Sequence, residues 1–404
     1  MKKIIINLFI LCSIFSFSQE RNILNEMKND LLYLTSDDLE GRFTGTYGEQ
    51  LAAKYISERF SEYQLLPYGN DGTYLQTFSA FIRNNPHSNE YKENIIGTNV
   101  IGFWNNNARE TVVIGAHYDH LGMGHIGSLY DGEKEIHNGA DDNASGVSIM
   151  INLIPELIVN KDYNFLFIAF SGEELGLYGS SYYVKNPTIN LERVRFMINF
   201  DMVGRLNSEN TLLINGTGTS SKWEKLIDLN NIYNFNLKTT ESGMGASDHT
   251  SFYNQEIPVL HFFTGAHDDY HKPSDDYEKI NFEGMYQILS YVIDIIYSST
   301  SIDNFDFQET TSDPQETPNF TVTLGIMPDY LFDDGGLRID GVSKGKTASR
   351  SGILKGDIIV KMGDMVVTDI MTYMEALSKF NSGDSTVVKV KRDSKEIFFN
   401  IIFD

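Results

Sequence analysis

The feature that most constrains this chain is an alternation of short apolar runs with helical patterns, from about residue 95 to residue 297. Four of these runs are almost continuously apolar: Thr111–Ala116, Asn164–Phe170, Arg195–Phe200 and Pro258–Phe263. Strands that are buried on both faces have this composition, because helices cover a parallel sheet on both sides. The alternation therefore predicts an α/β fold with a mostly parallel central sheet flanked by helices.

Helical patterns account for much of the remaining sequence of this region. Apolar residues recur at helical spacing over residues 23–66, over Val147–Val159 and over residues 282–297. The last of these segments is expected to close the domain by covering the sheet with its apolar face.

The first residues of the chain are typical of a secretory signal. Lys2 and Lys3 precede the apolar run Ile4–Phe17, and the small residues at its end favour cleavage before Gln19. The sequence therefore predicts a signal peptide over residues 1–18 and export to the periplasm or the outside.

The charge and cysteine content exclude several classes of protein. The chain has 32 Lys and Arg against 55 Asp and Glu, for a net charge of −23. Such a surface repels phosphate groups, which argues against nucleic acid as a partner. The single cysteine, Cys12, lies in the predicted signal peptide, so no disulfide is expected. No later apolar run reaches the about 20 residues of a membrane span.

A change of composition divides the chain into two domains. Residues 299–319 are rich in Ser, Thr, Asp, Glu and Pro, which predicts an acidic linker. We therefore expect a catalytic domain over residues 19–298 and a second domain over residues 320–404. The second domain has short β-like runs and one helical segment near residues 370–380, which predicts a small α+β fold.

Five clusters of acidic residues and histidines follow the predicted strands or lie in a late loop. They are Gly115–His120, Asn138–Gly146, Ser171–Gly176, Asn199–Gly204 and Asp269–Asp275. In an open α/β sheet, ligands bind beyond the carboxyl ends of the strands. The clusters are therefore expected to meet at one rim of the sheet.

Mixed nitrogen and oxygen donors of this kind suit a pair of zinc ions that share one carboxylate and one water. His117 and His271 each offer a nitrogen to one ion. Asp141 is the candidate bridge, and Glu174 and Asp201 complete the two ligand sets.

Three further side chains have candidate roles around these ligands. Asp119 is placed to accept the spare imidazole N–H of His117. Glu173 is a candidate base that takes a proton from the shared water and passes it to the leaving amine. Tyr270 is placed to donate a hydrogen bond to the developing oxyanion.

In their order and content, these motifs resemble the zinc aminopeptidases of metallopeptidase family 28, of the aminopeptidase Y or bacterial leucyl-aminopeptidase type. The resemblance extends over about residues 30–297. It implies a zinc-exopeptidase (phosphorylase/hydrolase-like) fold, two Zn²⁺ per chain and hydrolysis of N-terminal residues from peptides or proteins. It also implies the ligand set His117, Asp141, Glu174, Asp201 and His271, with Glu173 as the base and Tyr270 assisting the oxyanion.

The resemblance implies two further features behind the ligands. Asp142 is expected to follow Asp141 through a cis peptide bond. The sequence Ser247-Asp248-His249 recurs in relatives, which places Asp248 and the neighbouring His249 near the site. His120 is near the site by its motif, whereas His137 and His267 lie in polar loops and are expected at the surface.

Two other functions remain open from the sequence. A glutaminyl cyclase shares the fold but uses a single zinc as an aminoacyltransferase, and a non-catalytic relative would only bind peptides. The complete set of two-metal ligands disfavours both. The side-chain preference at the cleaved residue is not readable from the sequence.

Residues 320–404 resemble a PDZ domain of the bacterial type. The resemblance rests on Leu324-Gly325-Ile326-Met327 and on the glycine-punctuated segment Ala348–Ile359. It implies a groove in which the C-terminus of a peptide adds as a strand, with the amides of Leu324, Gly325 and Ile326 holding its carboxylate. A purely structural appendage is the alternative, because Met327-Pro328 departs from the regular strand entry.

Overall fold

The computed structural model describes residues 22–83, 91–124, 127–310, 322–328, 332, 335–342, 345–368, 370–393 and 395–403. The predicted signal peptide, residues 1–18, lies outside the described residues. So do residues 311–319 of the predicted linker.

The catalytic domain contains seven α-helices and nine strands within the described residues. The helices are α1 (22–34), α2 (Tyr47–Glu62), α3 (Gly146–Leu157), α4 (Tyr178–Lys185), α5 (Trp223–Asn230), α6 (His249–Tyr253) and α7 (Phe282–Ser299). The strands are β1 (Leu66–Pro67), β2 (Leu75–Arg83), β3 (Tyr91–Trp104), β4 (Glu110–His117), β5 (Tyr163–Phe170), β6 (Val194–Phe200), β7 (Thr211–Asn215), β8 (Asn236–Thr240) and β9 (Val259–Phe263).

These strands form one mixed sheet in the order β1-β3-β5-β4-β6-β9-β7-β8, and β2 pairs with β3. The four central strands β5, β4, β6 and β9 are mutually parallel. β3 runs antiparallel to β5 and β7 runs antiparallel to β9, so the sheet changes direction on both sides of its centre. The predicted α/β class and the parallel centre are therefore confirmed.

Both faces of the central strands are buried. Along β4, Val112 and Ile114 belong to one hydrophobic cluster with α3 and α7, whereas Val113 belongs to another that contains Phe252 of α6. Successive side chains of a strand point to opposite faces, so a strand covered on both sides is apolar at most positions. This is why the four runs lack the polar alternation of a solvent-facing strand.

The helical pattern predicted over residues 23–66 is interrupted in the structure. A 3₁₀ segment, Asp37–Arg42, separates α1 from α2, and the side chain of Ser36 accepts the Asp38 amide at its start. Gly41 has φ +68°, and a Cβ there would lie 2.5 Å from the carbonyl oxygen of His137. The chain therefore turns at Gly41 because only a glycine fits so close to the loop that it packs against.

The first part of the predicted linker differs from the expectation of an extended, solvated segment. The ring of Phe305 lies 4.7 Å from Trp223 and 5.1 Å from Phe196, centroid to centroid. Asp306 accepts hydrogen bonds from the Ser220 and Ser221 hydroxyls. Residues 302–310, which we call the strap, therefore pack against the catalytic domain, because two aromatic rings and not only polar groups lie within this acidic sequence.

The strap ends beside Gly243 and the end of α6. The side-chain oxygen of Thr310 accepts the Gly243 amide at 3.2 Å, and the Thr310 amide donates to the Tyr253 hydroxyl at 2.9 Å. The catalytic domain thus extends past residue 298, to Thr310.

The second domain has its own sheet and its own core. The strands β10 (Ile326–Pro328), β11 (Leu337–Val342), β12 (Ile358–Met362), β14 (Ser385–Arg392) and β15 (Lys395–Ile402) pair antiparallel in that order, and β13 (Met365–Val366) pairs with β12. Two helices, α8 (Thr347–Ser351) and α9 (Ile370–Leu377), complete it. Its buried cluster includes Leu324, Ile359 and Val388.

Among the described helices, none combines the length and the apolar character needed to cross a membrane.

Candidate active site

The central strands deliver the predicted site residues to one rim of the sheet. His117 is the last residue of β4, and Asp201 directly follows β6. Glu173 and Glu174 lie in the turn after β5, and His271 lies in the loop after β9. Because these strands are parallel neighbours, their carboxyl ends meet at the same edge.

Two groups of potential metal ligands share the carboxylate of Asp142. On one side, His117 Nε2 lies 3.3 Å from Asp142 Oδ1 and 3.3 Å from Asp201 Oδ1. On the other, His271 Nε2 lies 3.2 Å from Asp142 Oδ2 and 3.2 Å from Glu174 Oε2. One oxygen of Asp142 thus faces His117, and the other faces His271 and, at 3.9 Å, His120 Nδ1. This is the arrangement of a bridging carboxylate.

Asp142, and not Asp141, occupies the bridging position. The structure differs from the sequence prediction here by one residue, and the cis peptide bond is displaced equally: it joins Asp142 to Asn143. The motif contains two adjacent aspartates, and their side chains leave the loop in different directions. Spacing along the sequence does not decide which of the two faces the cluster.

Asp141 instead ties three loops together. Its Oδ1 accepts hydrogen bonds from Ser145 Oγ at 3.0 Å and from the Gly204 amide at 2.5 Å, and its Oδ2 lies 3.1 Å from His267 Nε2. His267 was expected at the surface, but its side chain is only 15% exposed because it packs against this carboxylate. Asp141 thereby fixes the loop of Asp142 relative to the loop after β6.

Asp275 holds the backbone of the same loop from the other side. One of its carboxylate oxygens accepts the amides of both Asp141, at 2.9 Å, and Asp142, at 3.0 Å. Its carbonyl oxygen accepts the Ala140 amide at 3.1 Å. Asp275 is fully buried, and burial together with nearby Asp141 raises its pKa to about 6. The segment carrying the bridging carboxylate is thus fixed at three consecutive amides.

A buried arginine lies behind the cluster. Arg42 is 1% exposed and donates to the carbonyl oxygens of Tyr118 at 2.8 Å, Asn138 at 2.7 Å and Gly139 at 3.0 Å. Burial lowers its pKa to about 10, so the guanidinium stays charged at neutral pH. Arg42 therefore joins the loop after β4 to the loop before Asp142.

The two adjacent glutamates have opposite protonation preferences. Burial raises the pKa of Glu173 well above its usual value, and Asp201 and Glu174 add to this against the opposing influence of His117. For Glu174 burial acts in the same direction, but His271 and His120 outweigh it and lower the pKa to about 2. Glu174 is thus a stable anion, whereas Glu173 holds a proton readily.

The histidines show that the cluster attracts positive charge. Burial disfavours the protonated form of His117, yet Asp201 and Glu173 outweigh it, and the pKa of His117 lies well above its usual value. His271 behaves alike through Glu174 and Asp142. Imidazole and carboxylate donors at one buried rim fit borderline divalent ions such as zinc.

The predicted contact between His117 and Asp119 is made by the backbone of Asp119 and not by its carboxylate. His117 Nδ1 lies 3.2 Å from the backbone oxygen of Asp119, nearer than its carboxylate at 3.7 Å. The Asp119 carboxylate instead accepts the Thr44 hydroxyl at 2.9 Å and the Glu173 amide at 3.2 Å. It therefore positions the turn of Glu173.

His120 is part of the ligand cluster itself, whereas its motif placed it only near the site. Its Nδ1 is 2.7 Å from Glu174 Oε1, and it belongs to the second ligand group with Asp142. Its place in the His-x-Asp-His sequence was the signal for this. His137, in contrast to the expected surface position, is buried and bonded through Nε2 to the Ser128 hydroxyl.

Tyr270 and Asp248 lie at the edges of the cluster. The Tyr270 ring stacks on His271 with 3.8 Å between ring centroids, and it packs against a small apolar cluster of Met202, Leu213 and Phe263. Asp248 is fully buried, which raises its pKa to about 7.

A cavity of about 610 Å³ opens beside Glu173 and Glu174. Its other walls come from the turn after β5 and from one face of α4, including Leu175, Tyr178 and Tyr182. Glu173 and Glu174 thus border a space large enough for part of a peptide.

Comparison with known proteins agrees with this geometry. Residues 99–296 match the sequence model of peptidase family M28, and residues 310–402 match that of the PDZ domain. Residues 99–296 therefore form a peptidase family M28 domain, and a PDZ domain follows it. Both resemblances found in the sequence are confirmed.

Individual relatives show the same relationship. The chain is 30% identical over 241 residues to aminopeptidase YwaD of Bacillus subtilis (strain 168), a match covering 57% of this chain and 50% of that protein. The match thus spans about half the length of that relative.

Solved structures share the fold at low identity. The zinc aminopeptidase BSAP from Bacillus subtilis aligns with a TM-score of 0.56 and 20% identity over 72% of this chain and 97% of its own. Porphyromonas gingivalis glutaminyl cyclase aligns with a TM-score of 0.55 and 17% identity over 68% and 98%. The fold alone is therefore compatible with both reactions.

Proposed function

We propose that this protein is a dizinc aminopeptidase that removes N-terminal residues from peptides. The observation that carries the proposal is the shared Asp142 carboxylate, with a histidine and a second carboxylate on each side. One ion would be held by His117, Asp142 and Asp201, and the other by Asp142, Glu174 and His271. The relative YwaD, named as an aminopeptidase, supports the same activity.

The reaction follows from what surrounds these ligands. Bound zinc supplies a Lewis acid for the scissile carbonyl and an acidified water at neutral pH. Glu173 takes a proton from the attacking water and returns it to the leaving amine, and its tendency to hold a proton suits that second step. Tyr270 assists by donating to the oxygen of the developing oxyanion.

The charge of the rim favours a substrate with a free α-amine. Asp201 presents a carboxylate to the site, and an ammonium group is its natural partner. A peptide with a free N-terminus is therefore expected to be hydrolysed far faster than its N-acetylated version. Equal rates for the two would contradict an aminopeptidase.

The test combines metal analysis with one substitution. Wild-type protein should bind two zinc ions per chain, lose leucyl-p-nitroanilide hydrolysis on chelation and regain it with zinc. Glu173→Gln keeps the shape but cannot accept the proton, so kcat should fall about 10²–10⁴-fold while zinc content is unchanged. Glu192→Gln, at an exposed position, is the matched control and should leave kcat unchanged.

The single-zinc alternative makes a distinct prediction. A glutaminyl cyclase would bind one zinc per chain and cyclise N-terminal glutamine without hydrolysing the anilide of leucine. The two ligand groups that share Asp142 disfavour that reading.

We propose two further properties that lie outside the chemistry. The signal-like residues 1–18 support export, which cell fractionation tests. The PDZ domain supports binding of peptide C-termini near Leu324, Gly325 and Ile326. The Gly325 amide donates to the Thr323 hydroxyl at 3.0 Å, so a bound carboxylate would have to displace that contact.

A further inference from the structure

The cavity beside the catalytic glutamates carries a lysine on its wall, and the mechanism above does not use it. Tyr178, Tyr182 and Lys185 line the cavity from one face of α4. They are spaced by four and three residues, as residues on one side of a helix must be. The opposite wall includes Ser79 of β2.

Glu173 decides which part of a substrate this cavity receives. The residue that gives a proton to the leaving amine must reach the nitrogen of the broken bond. Because Glu173 also lines the cavity, the space beyond it receives the leaving peptide and not the residue being removed.

The length of α4 sets how far the lysine lies along that peptide. Seven residues separate Tyr178 from Lys185, which corresponds to about 10 Å of helix. An extended peptide advances about 3.3 Å per residue. Lys185 is thus level with about the third residue after the scissile bond.

Both the walls and the charge favour an extended chain that ends in an anion. Tyr182 is held in place by stacking on Phe78, with 5.7 Å between ring centroids. Glu174, a stable anion, lines the near end of the cavity, and Lys185 brings a positive charge to the wall of the far end. In a chain of net charge −23, a cation in this place is a specific feature.

We propose that Lys185 makes this cavity a binding site for a carboxylate of the leaving peptide. The enzyme then prefers peptides that carry a carboxylate at about the third residue beyond the cleaved bond. The carboxylate is either the C-terminus of a short peptide or an acidic side chain in a longer one. This proposal rests on the proposed aminopeptidase activity.

The experiment compares matched substrates on the zinc-loaded full-length protein. The first pair is the tetrapeptide Leu-Ala-Ala-Ala as the free acid and as the amide. The second is Leu-Ala-Ala-Glu-amide against Leu-Ala-Ala-Gln-amide. The wild type should favour the carboxylate member of at least one pair by about three- to tenfold in kcat/KM, chiefly through KM.

Three variants connect this preference to the lysine. Lys185→Gln should abolish the preference, Lys185→Arg should keep it, and Lys225→Gln, on exposed α5, should leave it unchanged. Hydrolysis of leucyl-p-nitroanilide, which has no carboxylate, should be the same in all. Raising the salt concentration should weaken the wild-type preference, because a partly exposed ion pair is screened.

The outcomes separate this proposal from the proposed function. A preference in the first pair identifies the C-terminal carboxylate as the ligand, and one in the second identifies an acidic side chain. No preference in either pair, or one that survives Lys185→Gln, overturns the proposal. If the wild type fails to hydrolyse leucyl-p-nitroanilide with zinc bound, the aminopeptidase assignment itself is wrong.

Discussion

The rim of the catalytic domain and the PDZ domain differ in how they bury charge. The rim buries a group of carboxylates close together: Asp119, Asp141, Asp142, Asp248 and Asp275. The described part of the PDZ domain buries one, Asp357. Arg392 neutralises its charge, and the Leu354 amide donates a hydrogen bond to it. A lone buried carboxylate with an arginine partner stabilises a turn, whereas several crowded together need an external cation. The contrast separates the part of the chain that performs chemistry from the part that does not.

The largest effect should come from replacing Asp142 by asparagine, and the same substitution at Asp141 is the comparison. Asp142→Asn weakens both proposed ion sites at once, so zinc content and kcat should fall, kcat by more than about a hundredfold. Asp141→Asn can still accept the Gly204 amide, so it should bind two zinc ions and lose about tenfold or less. Metal analysis and anilide hydrolysis measure both. The reverse order of effects would restore Asp141 as the bridge.

A smaller loss should follow when the support of Asp142 is removed. Asp275→Ala deletes the acceptor of two consecutive amides, and loss of such an outer partner costs about 10- to 100-fold in zinc affinity or activity. Asp275→Asn retains an acceptor oxygen and should recover most of the loss. If both variants lowered only thermal stability and not zinc affinity, Asp275 would have no positioning role.

A core substitution in the PDZ domain should leave the chemistry untouched. Ile359 is fully buried in that domain, and Ile359→Ala should destabilise it by about 2–5 kcal/mol. The change should appear in denaturant unfolding of that domain, with anilide hydrolysis unaltered. Ile198→Ala, equally buried in β6 three residues before Asp201, is the comparison and should reduce hydrolysis. Equal effects on hydrolysis would mean that the two domains act as one unit.

The smallest effect should be the difference in stability between two truncated chains. A chain ending after Thr310 keeps the strap, and it should bind two zinc ions and hydrolyse the anilide within about threefold of the full-length rate. A chain ending after Thr300 loses the partly buried Phe305 and should be less stable by about 1–2 kcal/mol, less than full burial of a phenylalanine contributes. Thermal unfolding measures the difference. Identical melting temperatures would show that the strap does not stabilise the catalytic domain.

The four central strands and their order along the chain were readable from the sequence, for a physical reason. A strand covered on both faces is apolar at most positions, so β4, β5, β6 and β9 were visible as runs. Polar residues that directly follow such runs lie at the same rim of the sheet, because the strands are parallel. The family resemblance added which metal the donors would hold.

Other features depended on contacts between residues distant in sequence. Arg42 is 96 residues from Asn138, and Asp275 is 134 residues from Asp141, so no local pattern connects them. The same is true of the strap, whose aromatic residues pack on Trp223 although the surrounding sequence is acidic. The composition correctly indicated a polar segment. The prediction that all of this segment is a linker was wrong, because its first part packs against the catalytic domain.

The sequence by itself determined the two-domain organisation, the α/β class and the set of ionisable residues at the rim, because all three depend on local composition and order. Only the tertiary structure decided that Asp142 and not Asp141 faces both histidines, and that Lys185 lines the cavity beside Glu173. Both decisions concern the direction of a side chain. Direction depends on the backbone path of a loop or the orientation of a helix against its neighbours, which packing sets and residue spacing leaves open.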